Sequence, residues 1–352
     1  MAKAPFTTLL IIPTGIGAAV GGYAGDALPV AKAVAHLSDC LITHPNVLNG
    51  AQLYWPMDNV LYVEGYGLDR FAAGAWGLRP VRQNRVGLLL DAAIEPELRL
   101  RHLQAADATR ATLGLDLTDY VVTDAPLGVS LKTAASGATW GTLERPDSLL
   151  RGVEALVKRA RAEAIAVVAR FPDDEDSLVL QHYRQGQGVD PLAGAEAVIS
   201  HLVVNQFGLP CAHAPALSPL PPDPNLSPRS AAEELGYTFL PCVLVGLSRA
   251  PQFMPQPRQA SCDTGLWVDA VDVIIVPASA CGGSAVLSLG DRSTTLIAVR
   301  ENTTRMQVSP ESIGLSAISV ESYVEALGVL AALKAGVSPS SLRPRISRLS
   351  PL

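Results

Sequence analysis

The chain has 352 residues, of which 48% are hydrophobic and 17% charged, with a formal net charge of −6 and a mean hydropathy of +0.25. This is too long for one small core, and the apolar excess points to strands buried on both faces of a parallel sheet, or to surface buried in a homo-oligomer. An acidic chain without a concentrated basic face is not expected to bind nucleic acid, and no run approaches the roughly 18–20 apolar residues of a membrane span.

Strand and helix patterns alternate, which predicts an α/β fold: largely parallel, Rossmann-like sheets with flanking helices and long Pro/Gly-rich loops. An apolar strand at 8–12 runs into Pro13-Thr14 and a glycine loop with Gly15, Gly17, Gly21, Gly22 and Gly25. The strand is too short for a signal-peptide core and is interrupted by Pro13 and Gly15, so export is not expected. Asp26 is placed to cap the next helix, and a strand at 40–43 stops at His44-Pro45-Asn46. Further strands are expected at 59–63, 85–90 and 120–123, with a helix over 96–113. Residues 124–146 read as a long irregular segment. Asp147 is placed to cap an amphipathic helix, followed by a strand at 164–171, a solvated turn at 173–176, a helix near 194–207 and a short strand near 210–213. The Pro-rich run 215–228 predicts an excursion over the surface or an arm onto a partner subunit. Residues 239–247 read as a strand. The last βα unit has a strand at 271–276, the loop 277–284 and a strand at 295–299, and a helix over 320–334 closes at Gly336. The tail from Ser338 is expected to be disordered. Two regions follow, 1–145 and 146–337, or one continuous unit, with 338–352 as tail.

The two glycine loops form a pseudo-repeat. Ile11-Ile12-Pro13 before the first resembles Ile275-Val276-Pro277 before Cys281-Gly282-Gly283, and each unit is completed by a strand ending on an asparagine, Asn46 or Asn302. Side by side, both loops would sit at the carboxyl edge of one sheet, where open α/β folds bind ligands. The first loop reads G-x-G-x-x-x-G-G from Gly15, which misses the dinucleotide fingerprint, and no acid follows the next strand. It is not a Walker loop either. No cofactor is indicated.

The segments Ile12-Pro13-Thr14-Gly15-Ile16-Gly17, Gly21-Gly22-Tyr23-Ala24-Gly25-Asp26, Thr43-His44-Pro45-Asn46, Val63-Glu64-Gly65 and Leu68-Asp69-Arg70-Phe71 resemble a domain-of-unknown-function family of cyanobacteria, other bacteria and plant plastids. The loop 277–284 and Ala298-Val299-Arg300-Glu301-Asn302 extend the resemblance over nearly the whole chain. It implies no activity; it implies a cytoplasmic or stromal setting and a phototroph source. The five scattered cysteines (Cys40, Cys211, Cys242, Cys262, Cys281), with no CxxC pair, suit reduced thiols in a cytoplasmic setting.

Candidate site residues gather at strand ends. Thr14, Gly15, Gly17, Gly21, Gly22, Asp26, Asn46, Asn49, Arg70, Gly282, Gly283, Ser284, Arg300 and Asn302 are placed to bind a ligand, because glycine loops and helix N-termini favour anions. His44, Cys281, Asp69 and Glu64 are the candidates for proton transfer or nucleophilic attack. Each has a plainer reading: a tight turn, a small buried thiol, a histidine bonded to backbone, carboxylates that cap helices. No metal ligand set is assigned. The expectation is an enzyme of non-redox class (isomerase, lyase or hydrolase) acting on a small anionic metabolite. The alternatives are a non-catalytic nucleotide- or metabolite-binding regulator and an oligomeric assembly factor.

Overall fold

The computed structural model describes residues 4–48, 51–173, 178–236, 239–255, 265–290, 292–346 and 348–349. Its elements run β1 (Thr7–Leu10), α1 (Leu28–His36), β2 (Cys40–Thr43), α2 (Pro45–Leu48), α3 (Ala51–Tyr54), β3 (Val60–Tyr62), α4 (Gly65–Ala72), β4 (Trp76–Arg79), β5 (Val86–Leu90), α5 (Pro96–Leu113), β6 (Val121–Val122), β7 (Val129–Thr133), β8 (Thr139–Leu143) and α6 (Pro146–Ala160). They continue with β9 (Ala164–Arg170), α7 (Leu178–Arg184), α8 (Ala193–Phe207), β10 (Cys211–Ala216), α9 (Pro228–Glu234), α10 (Leu240–Ser248), β11 (Gln252–Pro255), β12 (Val271–Pro277), α11 (Ser284–Gly290), β13 (Thr295–Val299), β14 (Ile318–Val320) and α12 (Tyr323–Ala335).

The fold is α/β. One parallel sheet has the order β14-β13-β12-β1-β2-β3, a second has β10-β9-β5-β6, and β11-β4 and β7-β8 are antiparallel ribbons. Short strands such as Thr7–Leu10 and Val86–Leu90 are buried along their whole length, as expected where helices cover both faces. In the first sheet the chain moves one way from β1 to β3 and, much later, the other way from β12 to β14. The strand order therefore reverses between β1 and β12, which pair in parallel register from Thr8↔Val273 to Leu10↔Ile275. Both glycine loops leave the carboxyl edge at this reversal.

A division near residue 145 does not match the sheets. The chain builds β1–β3, leaves to make the entire second sheet, and returns to finish the first. One apolar cluster joins Leu10, Leu41 and Ile275 to Val86, Ala166 and Ala214, so the two sheets share a core. Residues 240–248, expected as a strand, form α10. The run is apolar all round because it packs between elements of both halves, against α2, α3, α5, β5, β9 and β10. Periodicity cannot separate a short buried helix from a buried strand.

Three other expectations are corrected. Residues 124–146 are not irregular: they hold the hairpin β7–β8, paired from Val129↔Leu143 to Thr133↔Thr139. Asp26 and Asp147 are not caps, since the N-cap positions are Ala27 and Arg145 and neither helix has a side-chain cap bond. The Pro-rich run passes over the surface, as expected, with Pro219, Pro221, Pro222 and Pro224 exposed. Pro215 lies in β10, an edge strand that tolerates it, and the run is bound back by Arg184 Nη2 donating to the Pro221 carbonyl at 2.7 Å. The tail from Ser338 continues into a 3-10 turn over Pro339–Leu342.

Candidate functional site

A cavity of about 820 Å³ opens where both sheets present their carboxyl ends. That volume lies within the roughly 300–1,000 Å³ usual for small-molecule sites. Thr14 enters it after β1, His44 and Asn46 after β2, Glu64 after β3, Ser218 after β10, and Gly283 and Ser284 after β12. The two glycine-containing connections thus reach one cavity. Opposite them lies α8, whose Ala193, Glu196, Ala197, Ser200 and His201 share one face by helical spacing, while Ile199 and Val203 turn away from it and are buried in the core.

Three polar groupings line the wall. In the first, Glu64 caps α4, accepting from the Tyr66 and Gly67 N–H groups, and its other oxygen lies 3.0 Å from His201 Nε2. Glu64 is 4% exposed, whereas the His201 side chain is 44% exposed. Burial opposes charge on His201, but the Glu64 hydrogen bond and charge, with Asp69 beyond, outweigh it and raise the pKa. Burial also raises that of Asp69, against bonds donated by Ser284 and the Ala285 N–H. In the second grouping, Ser200 Oγ lies 2.7 Å from His213 Nδ1, and His213 Nε2 lies 3.4 Å from Glu196. The third holds two acids, Asp190 buried and Glu233 half-buried. Burial pushes Glu233 up to about 7 although Tyr183 donates to it at 2.6 Å. Asp190 is driven well above the carboxylate range by burial, then by the charges of Glu233 and Glu196.

The candidates from sequence divide sharply. Thr14, His44, Asn46, Glu64, Asp69, Gly283 and Ser284 line the cavity; Gly15, Gly17, Gly21, Gly22, Asp26, Arg70, Cys281, Gly282, Arg300 and Asn302 do not. Asn49 lies outside the described residues. The first glycine loop is filled by protein: Thr139 N–H donates to the Gly15 carbonyl, Arg305 N–H to Ile16, and the Gly17 and Gly21 Cα atoms face Val189 and Ile12. Asp26 ties Gly21 N–H to Arg229, Asn302 clasps Val20 and Tyr323, and Arg300 pairs with Glu321 on the surface. Arg70 lies over the Trp76 ring. Cys281 is fully buried and its thiol is pushed up to about 11 by that burial, the opposite of an activated thiolate. His44 lines the wall, yet its Nε2 accepts the Ile12 N–H at 3.0 Å and burial lowers its pKa to about 4. Its basic nitrogen is therefore engaged, which withdraws it as a general base.

Glu196, Ser200, His201, Asp190, Tyr183 and Glu233 were not expected from sequence. For the three on α8 the signal was the polar set Glu196, Ser200 and His201, at i, i+4 and i+5, within a helix that is otherwise apolar up to Asn205 and Gln206. Among the described residues, Arg101 pairs with Glu97 and Arg184 with Glu234, while Glu64, Asp69, Asp190, Glu196 and Glu233 have no lysine or arginine partner. No group of three metal-ligating side chains occurs among the described residues.

Over residues 7–343 the chain matches the family described as Protein of unknown function (DUF3326), and it belongs to that family. It is 61% identical over 344 residues, 98% of this chain and 95% of the relative, to a protein of Synechococcus sp. named as an uncharacterised lipoprotein. No solved structure matches it. The family motifs were thus correctly read. The cytoplasmic expectation is corrected, because so similar a relative carries the name lipoprotein. No described helix is long and apolar enough to cross a membrane.

Proposed function

We propose that this chain is an acid–base enzyme of non-redox class, an isomerase, lyase or hydrolase, acting on a small molecule in the cavity between the two sheets. The observation that carries this reading is the pair His201–Glu64, at 3.0 Å, set on the wall with the carboxylate buried and the imidazole open. Glu64 is held by the α4 N-terminal N–H groups, so it orients the ring by accepting a hydrogen bond from Nε2–H, which keeps its proton, leaving Nδ1 to accept one from substrate. The imidazolium so formed is stabilised by the same carboxylate. Glu233, poised near neutrality, is the proton donor on the other side of the cavity. The guest is neutral or cationic, since the wall holds five carboxyl groups without a lysine or arginine partner among the described residues.

A thermal-shift screen of neutral and cationic metabolites against the purified chain, followed by turnover assays on each hit, tests the reading. His201→Gln should keep the guest bound and reduce turnover about 100-fold or more. A guest consumed equally fast by that variant sinks the assignment. A guest bound tightly and never consumed favours a metabolite-binding regulator instead.

A further inference from the structure

We propose that the end of this cavity formed by Asp190, Glu196 and Glu233 is a subsite for a protonated aliphatic amine, and that the natural guest is a small organic cation carrying at least one ammonium group. The proposal rests on the same cavity as the acid–base reading and adds the class of guest.

Three features of the same cavity support it. The first is charge. Asp190 is buried and Glu233 half-buried, and Asp190 is held by the Leu192 N–H and Glu233 by the Tyr183 hydroxyl rather than by a cation. Carboxyl groups removed from water without a positive partner are costly, and an ammonium group supplies that partner with three N–H donors. The second is an unmet acceptor. His102, 1% exposed and on the cavity wall, donates from Nδ1 to the Leu98 carbonyl at 2.8 Å, so its Nε2 can only accept, and it has no partner among the described residues. The third is aromatic. Tyr183 lines the cavity and stacks on Tyr23 with ring centroids 4.7 Å apart, giving the acidic end a π surface of the kind that attracts organic cations. The His102 Nε2 and the ionised form of each carboxyl group call for a donor, which a fully ionised carboxylate does not bring.

The test is calorimetric titration of the purified full chain at pH 7 with 1,4-diaminobutane, the neutral isostere 1,4-butanediol, and succinate. The expected result is saturable binding of the diamine, with the diol and succinate each about tenfold weaker or more, and a loss of about tenfold in diamine affinity in both Asp190→Asn and Glu233→Gln. These amides are isosteric with the protonated acids; should either variant fail to fold by circular dichroism, Glu196→Gln takes its place with the same expectation. Equal binding of the diol, preference for succinate, no diamine binding, or undiminished affinity in the amide variants each overturns the proposal. The two readings fail separately. Diamine binding without any His201-dependent turnover removes the acid–base reading and keeps the cation subsite. His201-dependent turnover of a guest without an amine does the reverse.

Discussion

The two glycine loops leave neighbouring strands of one sheet at the same edge, yet they do opposite jobs. In the first, Gly15, Gly17 and Gly21 have φ between +61° and +89°, and their Cα atoms lie against Thr139, Val189 and Ile12. In the second, Gly283 has an ordinary φ and nothing within 4 Å of where a Cβ would stand. The richer loop is therefore a joint that locks the β1 end to the β7–β8 hairpin and to the segment after β13. The plainer one borders the cavity. Glycine count signals close approach; whether the thing approached is ligand or protein depends on what the rest of the chain puts there.

The largest expected effect breaks the first loop. Gly21→Ala combines a strained φ with a clash on Ile12, and Gly22→Ala drives a methyl into the Ala18 carbonyl, so each should cost about 3 kcal/mol or more in urea unfolding. A cost below about 1 kcal/mol would show that the loop is not packed as described.

Next, the loops should differ in pH response. The folded pKa of His44, which holds Ile12 at the head of the first loop, is lowered from 6.5 to about 4. The neutral ring is the folded form, so its contribution is present above pH 6.5 and lost as pH falls through about 4. The shift corresponds to about 3 kcal/mol as an upper bound. His44→Gln keeps an acceptor for Ile12 and should flatten that acid limb in thermal melts; an unchanged limb would remove His44 from this role. Cys281 in the second loop is raised from 9 to about 11, so its contribution is present below pH 9 and lost as pH rises through about 11. This alkaline limb, at most about 3 kcal/mol, should vanish in Cys281→Ala.

The smallest effect on stability is the sharpest contrast. Gly283→Ala should shift the unfolding midpoint by no more than about 0.5 kcal/mol, since the methyl meets open space. The same methyl points toward the cavity border and should weaken whatever guest the thermal-shift screen finds. Full stability with full affinity would mean that this loop does not bound the bound guest.

Much of the fold was legible because it is local. The strand over Thr295–Val299 and the helix over Pro96–Leu113, closed by Gly114 in the left-handed region, are stated by short apolar runs and stop signals. The reversal at β1 was visible in the paired Ile-Pro loops. The site was only half legible. Glu64 stands at the end of β3 and Asp69 on α4 directly after it, where α/β reasoning looks first, whereas Glu196, Ser200 and His201 sit on a helix that any local reading takes as structural.

What the amino-acid order determined by itself was the alternation of elements, the edge at which the loops emerge and membership in the family. Tertiary structure alone decided that the second sheet is inserted within the first, that α10 is a helix packed among elements of both, and that α8 faces the strand ends. Those outcomes depend on which apolar faces meet across more than a hundred residues. Burial then sets the chemistry: the same thiol, imidazole and carboxyl groups become an inert Cys281, a backbone-bound His44 and a Glu233 raised to about 7 only once water is excluded around them.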